Sequence, residues 1–171
     1  MIVFLDFDGV VHPEQLPRAS DLFCRLHLIE AVLREFPTAE IVISSAWRLE
    51  FVNDELAVSK LREHFSHDIA PRVVGVTPVF MKFMDKDSHE VLSSFTRHWE
   101  CEAWMNANRP PGTRWMAMDD RAYLFRPFCD NLMAFDRLEA FKQEHQDPLR
   151  QYLVALTQDS PWPAYCDRNL S

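Results

Sequence analysis

The sequence predicts an α/β protein, a three-layer sandwich in which helices cover both faces of a parallel sheet of about five strands. Short apolar runs alternate along the chain with amphipathic stretches of helical length, a pattern typical of βαβ units. The chain has 171 residues, of which 47% are hydrophobic, and this is enough to form one domain with a substantial core. We expect a single domain over residues 1–171, with its core at about 1–156 and an irregular tail at about 157–171.

Five short runs rich in Val, Ile, Met and Phe predict buried strands, because turn-forming or polar residues bound each of them. They cover residues 2–6, 39–44, 72–76, 114–119 and 131–135. Because right-handed crossovers connect such strands in a parallel sheet, their carboxyl ends should meet at one edge.

Four stretches between or after these runs predict helices. Ser20 is the expected cap of the first helix, which Pro37 ends, and Asn53 is the expected cap of a helix over 54–65. Thr96 is the expected cap of the third helix, which ends at the Pro- and Gly-containing segment 108–112. The last helix is expected from about 138 to 156, while residues 79–95 have no clear pattern.

The composition excludes several classes of protein. A net charge of −8 argues against a broad basic surface for duplex nucleic acid. No stretch approaches the roughly 18 apolar residues of a membrane span, and Asp6 and Asp8 interrupt the first apolar run, which argues against a signal peptide. Four scattered cysteines without a CxxC pair indicate a reducing compartment. We therefore predict a cytoplasmic protein with no membrane partner, and make no prediction of its oligomeric state.

The segment that says most about function is the pair of aspartates and the glycine at the end of the first predicted strand. Asp6 and Asp8 are costly to bury unless a metal ion or a reaction needs them, and alternation along a strand lets both point the same way. Gly9 permits a sharp turn that brings backbone amides close to a ligand. Ligands of such folds bind at the carboxyl ends of the strands. A solvated acidic turn or a calcium-type loop is the alternative interpretation.

Other strand ends complete an ordered set of polar groups. The second predicted strand ends at Ser44-Ser45, and the fourth ends at Asp119-Asp120. With Asp6-Phe7-Asp8-Gly9-Val10, this order resembles the motifs of the haloacid dehalogenase-like (HAD) hydrolases, most of which are Mg²⁺-dependent phosphatases. Segments 44–48, 97–105 and 115–121 further resemble the HAD domain of Swiss army knife RNA repair proteins. The resemblance implies a Rossmann-like three-layer α/β/α sandwich with a minimal cap or none.

The resemblance also implies roles for individual residues. Asp6 would be the nucleophile that forms an aspartyl-phosphate, and Asp8 the general acid and base. Ser44, with Ser45 as the alternative, and Arg97, with Lys82 and Lys86 as alternatives, would hold the phosphoryl oxygens. Mg²⁺ would bind Asp6, Asp119 and the main-chain carbonyl of Asp8; an alternative role for Asp119 or Asp120 is to cap a helix. We expect further substrate contacts from Gly9, Ser45, Arg48 and Asp120.

The expected function is therefore that of a Mg²⁺-dependent phosphomonoester hydrolase. Its substrate would be a small phosphorylated metabolite, a nucleotide or a nucleic-acid end, and an open site without a full cap suits a bulky substrate. Arg48, Arg121 and Arg126 could contact a nucleic-acid backbone and Trp47 could stack on a base, unless they serve the core or structural ion pairs. We expect the acids Asp6, Asp119 and Asp120 to keep Asp8 protonated. A non-catalytic phosphate or nucleic-acid binding module and a phosphotransferase are the alternatives.

Overall fold

The computed structural model describes residues 1–16, 18–80, 95–158 and 161–163. Its five strands are β1 (Ile2–Leu5), β2 (Glu40–Ile43), β3 (Val73–Val76), β4 (Trp115–Asp119) and β5 (Leu132–Ala134). All neighbouring strands are parallel, and their order across the sheet is β3-β2-β1-β4-β5. The predicted α/β fold with a five-stranded parallel sheet is confirmed.

Four α-helices cover the two faces of the sheet: α1 (Leu26–Glu35), α2 (Asp54–Arg62), α3 (Thr96–Asn108) and α4 (Gln146–Gln158). Successive residues of β1 point to opposite faces, so Val3 and Leu5 join the core formed with α1, α2 and α4. Ile2 and Phe4 join a second, smaller core under α3. This three-layer arrangement buries every residue of β1.

Helix starts differ from the sequence prediction more than strand positions do. Asn53 caps α2 as expected, because its side chain accepts a hydrogen bond from the Leu56 amide. Ser20 caps no α-helix: it lies in a 3₁₀ turn, Ala19–Asp21, and α1 begins at Leu26. Thr96 is the first residue of α3 rather than its cap, and Phe95 precedes it. The last helix begins at Gln146, later than the expected position near residue 138.

The register of the sheet brings the ends of β1, β2 and β4 to the same level. Leu5 is paired with Ile43 on one side and with Met118 on the other. The Ser44 amide donates to the Leu5 carbonyl at 2.9 Å, and the Asp6 amide donates to the Met118 carbonyl at 3.0 Å. Asp6, Ser44 and Asp119 therefore follow three adjacent strands at one edge of the sheet.

Several predictions concern the segments outside the four helices. Between β1 and α1, the described residues form turns and one short 3₁₀ helix, as expected for a minimal cap on that side. The patternless segment 79–95 and the alternative cations Lys82 and Lys86 fall mostly or wholly in 81–94, outside the described residues. In the tail, 161–163 has neither helix nor strand. No helix in the described parts of the chain is both long and apolar enough to span a bilayer.

Candidate active site

Arg97 links two buried carboxylates at the ends of β1 and β4. Its Nη1 lies 3.3 Å from Asp6 Oδ2 and 3.0 Å from Asp119 Oδ2. The same nitrogen donates to the Ser44 carbonyl. Burial alone would lower the pKa of Arg97, but Asp119 and Asp6 raise it above the ordinary arginine value. The guanidinium is therefore a fixed positive charge that holds the two acids together.

Asp120 adds a third carboxylate to this cluster. Oxygen atoms of Asp6, Asp119 and Asp120 all lie within 4.8 Å of one another. Both side-chain oxygens of Asp120 are buried and accept no hydrogen bond from the described residues. Buried carboxylate oxygens without a donor are costly, and hard oxygen ligands are those that Mg²⁺ prefers. The donor set at this edge thus fits a magnesium ion.

Gly9 makes this close approach possible. Its φ of +71° lies in the left-handed region, a backbone conformation that residues with a Cβ rarely adopt. A Cβ at this position would lie 2.6 Å from Asp120 Oδ2. Only glycine allows the turn after β1 to pass directly beside the Asp120 carboxylate.

Burial and mutual repulsion raise the pKa of all three clustered acids. Burial raises the pKa of Asp6, although Arg97, the Phe7 amide and the Ser45 hydroxyl oppose the change. Burial also raises the pKa of Asp119 to about 6 against the opposing effect of Arg97. For Asp120, burial and the charge of Asp119 raise the pKa to about 6. A bound cation would lower the pKa of all three acids and so favour their ionised forms.

Asp8 lies outside the carboxylate cluster, and its ionisation differs from the sequence prediction. Trp47 Nε1 lies 3.2 Å from Asp8 Oδ1 and 3.0 Å from Oδ2, and His12 Nε2 lies 3.1 Å from Oδ1. The hydrogen bond with His12 lowers the pKa of Asp8, and that from Trp47 adds to the effect against the opposing influence of burial. The expectation that neighbouring acids keep Asp8 protonated is therefore wrong for the ligand-free site.

The two serines after β2 occupy different surroundings. The Ser44 hydroxyl lies 3.4 Å from Arg97 Nη1 and 3.9 Å from Cys101 Sγ. The Ser45 hydroxyl instead lowers the pKa of Asp6. It also accepts a hydrogen bond from the Trp47 amide at 3.4 Å. Of the two hydroxyls, that of Ser45 is the one that lowers the pKa of the predicted nucleophile.

A family model described as the HAD domain in Swiss Army Knife RNA repair proteins matches residues 2–155. This match spans all five strands and every residue of the carboxylate cluster. The chain belongs to this family. Comparisons with curated proteins and with solved structures gave no match. The resemblance to the HAD hydrolases and to this branch of them is confirmed.

Arg48 of this HAD domain is held by hydrogen bonds within the protein. Its Nε donates to the Thr77 carbonyl at 2.9 Å, Nη1 to the Ser45 carbonyl at 2.6 Å and Nη2 to Glu100 Oε2 at 2.7 Å. The side chain is buried. Its donors are engaged within the protein, so we leave Arg48 out of the proposed substrate contacts.

Arg121 lies beside the acid cluster of the HAD site, whereas Arg126 packs against α3. Arg121 Nε is 3.8 Å from Asp120 Oδ1, and its Nη2 is 3.4 Å from Glu14 Oε1. Arg126 lies over the Trp99 ring at 4.1 Å from the ring centroid. Arg121 is therefore the arginine nearest the acids that remains partly exposed.

Two residues with defined contacts at the site were missed in the sequence. His12 contacts Asp8, and Glu100 pairs with Arg48 and lies 3.8 Å from Arg97 Nε. Glu100 follows Arg97 by three positions on α3, the spacing of neighbours on a helix face, which could have identified it. His12 follows Asp8 by four positions through a turn, so its contact depends on the turn geometry.

A cavity of about 590 Å³ lies away from the carboxylates, between α2, β3 and α3. Its wall includes Val58, Val74 and Trp104. It contains no member of the Asp6–Asp119–Asp120 cluster. Because the chemistry depends on the carboxylates, we assign the functional site to the open strand edge rather than to this cavity.

Proposed function

We propose that this HAD domain is a Mg²⁺-dependent phosphomonoester hydrolase that acts on the terminal phosphate of a nucleic acid. The observation that supports it most is the convergence of Asp6, Asp119 and Asp120 within 4.8 Å at the ends of β1 and β4. Such a cluster would bind a hard cation, and Mg²⁺ held in this way would in turn bind a phosphoryl oxygen. Family membership supports the same class of reaction.

Asp6, Asp119 and Asp120 would hold Mg²⁺ with the main-chain carbonyl of Asp8. When bound, the ion would offset the like charges of an attacking carboxylate and a phosphate dianion. Asp120 was expected to bind substrate. Its buried oxygens, which accept no hydrogen bond from the described residues, support a role next to the metal instead.

Asp6 is the proposed nucleophile. Its Oδ1 accepts a hydrogen bond from the Phe7 amide at 2.7 Å, while Oδ2 faces Arg97. Attack forms a bond between a carboxylate oxygen and phosphorus and breaks the bond from phosphorus to the leaving oxygen. Water then cleaves the aspartyl-phosphate and releases inorganic phosphate. Arg97 holds the orientation of the carboxylate throughout.

Asp8 is the proposed proton carrier. A phosphate bound beside it adds negative charge, which raises the pKa of Asp8 and favours its protonated form. Asp8 then donates this proton to the leaving oxygen and later accepts one from the attacking water. With its side chain 35% exposed, Asp8 is accessible to a leaving group.

A nucleic-acid end is the proposed substrate because the rim offers groups for a strand. Tyr123 and Phe128 are 69% and 99% exposed, and Arg121 and Arg126 lie in the same segment after β4. Exposed aromatic rings with interspersed arginines bind single strands by stacking and phosphate contacts. The RNA repair context of the family supports this choice.

The test is phosphate release by the wild type and by Asp6→Asn with Mg²⁺ and with EDTA. Substrates are an aryl phosphate, mononucleotides, sugar phosphates, and RNA and DNA oligomers phosphorylated at either end. Asp54→Asn, an exposed carboxylate in the first turn of α2, is the matched control. We expect release that needs Mg²⁺, is lost in Asp6→Asn and is unchanged in Asp54→Asn.

The substrate panel separates the alternatives. Preference for oligomers over mononucleotides and sugar phosphates supports the nucleic-acid assignment, and the reverse preference assigns a metabolite. Transfer of phosphate to an added alcohol would identify a phosphotransferase. Retained turnover in Asp6→Asn would remove the nucleophile, and no release from any substrate by folded, Mg²⁺-loaded protein would favour a binding module.

A further inference from the structure

We propose that His12 and Trp47 are positioning residues that hold the Asp8 carboxylate in the orientation needed for proton transfer to the leaving oxygen. This inference rests on the proposed function, because it deepens the role of Asp8. His12 and Trp47 both lie outside the Asp6–Asp119–Asp120 cluster.

Trp47 contacts both oxygens of the Asp8 carboxylate. Its Nε1 lies 3.2 Å from Oδ1 and 3.0 Å from Oδ2. The indole nitrogen has one hydrogen and can only donate. A single donor shared between two oxygens restrains the rotation of the carboxylate. Trp47 comes from the 3₁₀ helix Ala46–Glu50 directly after β2, so this contact joins the segments after β1 and β2.

His12 provides the second contact, and its surroundings select its tautomer. The Phe23 amide donates to His12 Nδ1 at 3.4 Å, so Nδ1 acts as an acceptor. A neutral imidazole with an accepting Nδ1 has its hydrogen on Nε2. His12 Nε2 therefore donates to Asp8 Oδ1 across the 3.1 Å contact. One backbone amide thus sets the direction of a side-chain hydrogen bond to the proton carrier.

The rings around His12 restrict its movement. The imidazole is 1% exposed and lies 5.4 Å from the Phe23 ring and 6.0 Å from the Trp47 ring, measured between centroids. Phe23 has a φ of +59°, a conformation that is uncommon for residues other than glycine. The backbone strain at Phe23 places its amide against His12, and such strain concentrates at functional sites.

His12 and Trp47 leave part of the Asp8 carboxylate accessible. Both contact it from the protein side, while 35% of the Asp8 side chain remains exposed. The exposed part is available to a leaving oxygen. Loss of either donor frees the carboxylate to rotate, and in the step that forms the aspartyl-phosphate this matters only when the leaving group needs a proton in the transition state.

The experiment compares two substrates that differ in this need. 4-Nitrophenyl phosphate releases a stable phenolate, whereas a primary alkyl phosphate releases an alkoxide that must be protonated. The variants are His12→Leu, Trp47→Phe and His12→Gln, in which an amide nitrogen replaces Nε2 as donor. We expect His12→Leu and Trp47→Phe to lower kcat/KM, which reports formation of the aspartyl-phosphate, about 10- to 100-fold for the alkyl ester, with little change for the nitrophenyl ester. His12→Gln should recover most of the loss.

The outcomes distinguish this inference from the proposed function. Equal losses for both esters in folded variants would show a merely structural role and overturn the inference, while leaving Asp6→Asn as the test of the function. A readout without turnover is nuclear magnetic resonance of the His12 ring nitrogens. A neutral ring protonated at Nε2 supports the inference, and a ring protonated at Nδ1 overturns it.

Discussion

Asp119 and Asp120 are consecutive residues in different surroundings. Asp119 receives Arg97 Nη1 at Oδ2 and the Arg121 amide at Oδ1, the latter at 2.8 Å. The oxygens of Asp120 receive no hydrogen bond from the part of the chain that the structure describes. Asp119 therefore accepts hydrogen bonds from the protein, whereas Asp120 faces the Arg121 guanidinium at 3.8 Å without a hydrogen bond.

The raised pKa values of these two acids predict a pH-dependent response to Mg²⁺. Burial raises the pKa of both Asp119 and Asp120 from 3.8 to about 6. The metal-free folded state thus binds protons more tightly than the unfolded state, and this contribution to stability is lost as pH rises from about 4 through 6. Mg²⁺ binds only the ionised groups. We expect Mg²⁺ to raise Tm more at about pH 7.5 than at about pH 5, measured by thermal denaturation.

The control for this measurement is Asp120→Asn. It removes one ionised ligand, so the extra rise in Tm at the higher pH should shrink in a folded variant. An equal Mg²⁺ effect on Tm at both pH values in the wild type would contradict the assignment of a metal site to these acids.

The sequence predicted that three strand ends meet at the site, but not the contacts of His12 and Glu100 or the ionisation of Asp8. Asp6, Ser44 and Asp119 each end a predicted strand, and parallel topology alone brings them together. The state of Asp8 depends on His12 and Trp47, which approach it through a turn and a 3₁₀ helix. Charge proximity suggested a protonated Asp8, and side-chain hydrogen bonds that no pattern reveals reverse this.

At the scale of elements, a buried ion pair joins α3 to the segment after β2. Arg48 and Glu100 have side chains that are 5% and 6% exposed, with Nη2 and Oε2 separated by 2.7 Å. Glu100 also accepts a hydrogen bond from the Phe80 amide at 3.0 Å. This pair fixes the start of α3, and hence Arg97, relative to the sheet.

Glu100→Gln should therefore destabilise the fold. It leaves the Arg48 charge buried without its counterion, which costs about 3 kcal/mol of unfolding free energy. Glu102→Gln on the same helix is the control, because Glu102 is partly exposed and such pairs contribute roughly 1 kcal/mol or less. Urea denaturation measures both, and similar losses in the two variants would argue against a structural role of the buried pair.

Strands were easier to predict than helix starts for a physical reason. A buried strand needs a short apolar run, and all five runs proved to be strands. A helix start depends on which side chain or turn satisfies the first free backbone amides of the helix. Ser20 has the chemistry of a cap, but the chain there forms 3₁₀ and other turns up to Arg25, and the apolar spacing of Leu22 and Phe23 does not reveal this.

In the molecule as a whole, the carboxylate cluster lies at the carboxyl ends of the strands, whereas residues 161–163 lie near their amino ends. Trp162 packs at 4.3 Å from the Arg114 guanidinium and 5.8 Å from the Tyr152 ring. Arg114 directly precedes β4, whereas Asp119 ends it. The segment 161–163 therefore contributes to packing at the edge remote from the carboxylates.

Trp162→Ala should separate stability from chemistry. Loss of the ring contact with Arg114 and of apolar burial should lower the unfolding free energy by about 1–2 kcal/mol. The kcat for phosphate release should stay unchanged because the site is remote. Chemical denaturation and turnover measured on the same preparation provide the check, and a large fall in kcat without unfolding would contradict this division.

The position of β1 has a consequence for the newly synthesised chain. β1 is the central strand and pairs with β2 and β4, yet β4 begins at residue 115. As the ribosome makes the chain in order, one side of this fully apolar strand stays unpaired until more than a hundred further residues have emerged. Exposed strand edges promote aggregation. Nascent chains that stop before β4 would thus expose the most hydrophobic strand of the sheet to other chains and to chaperones.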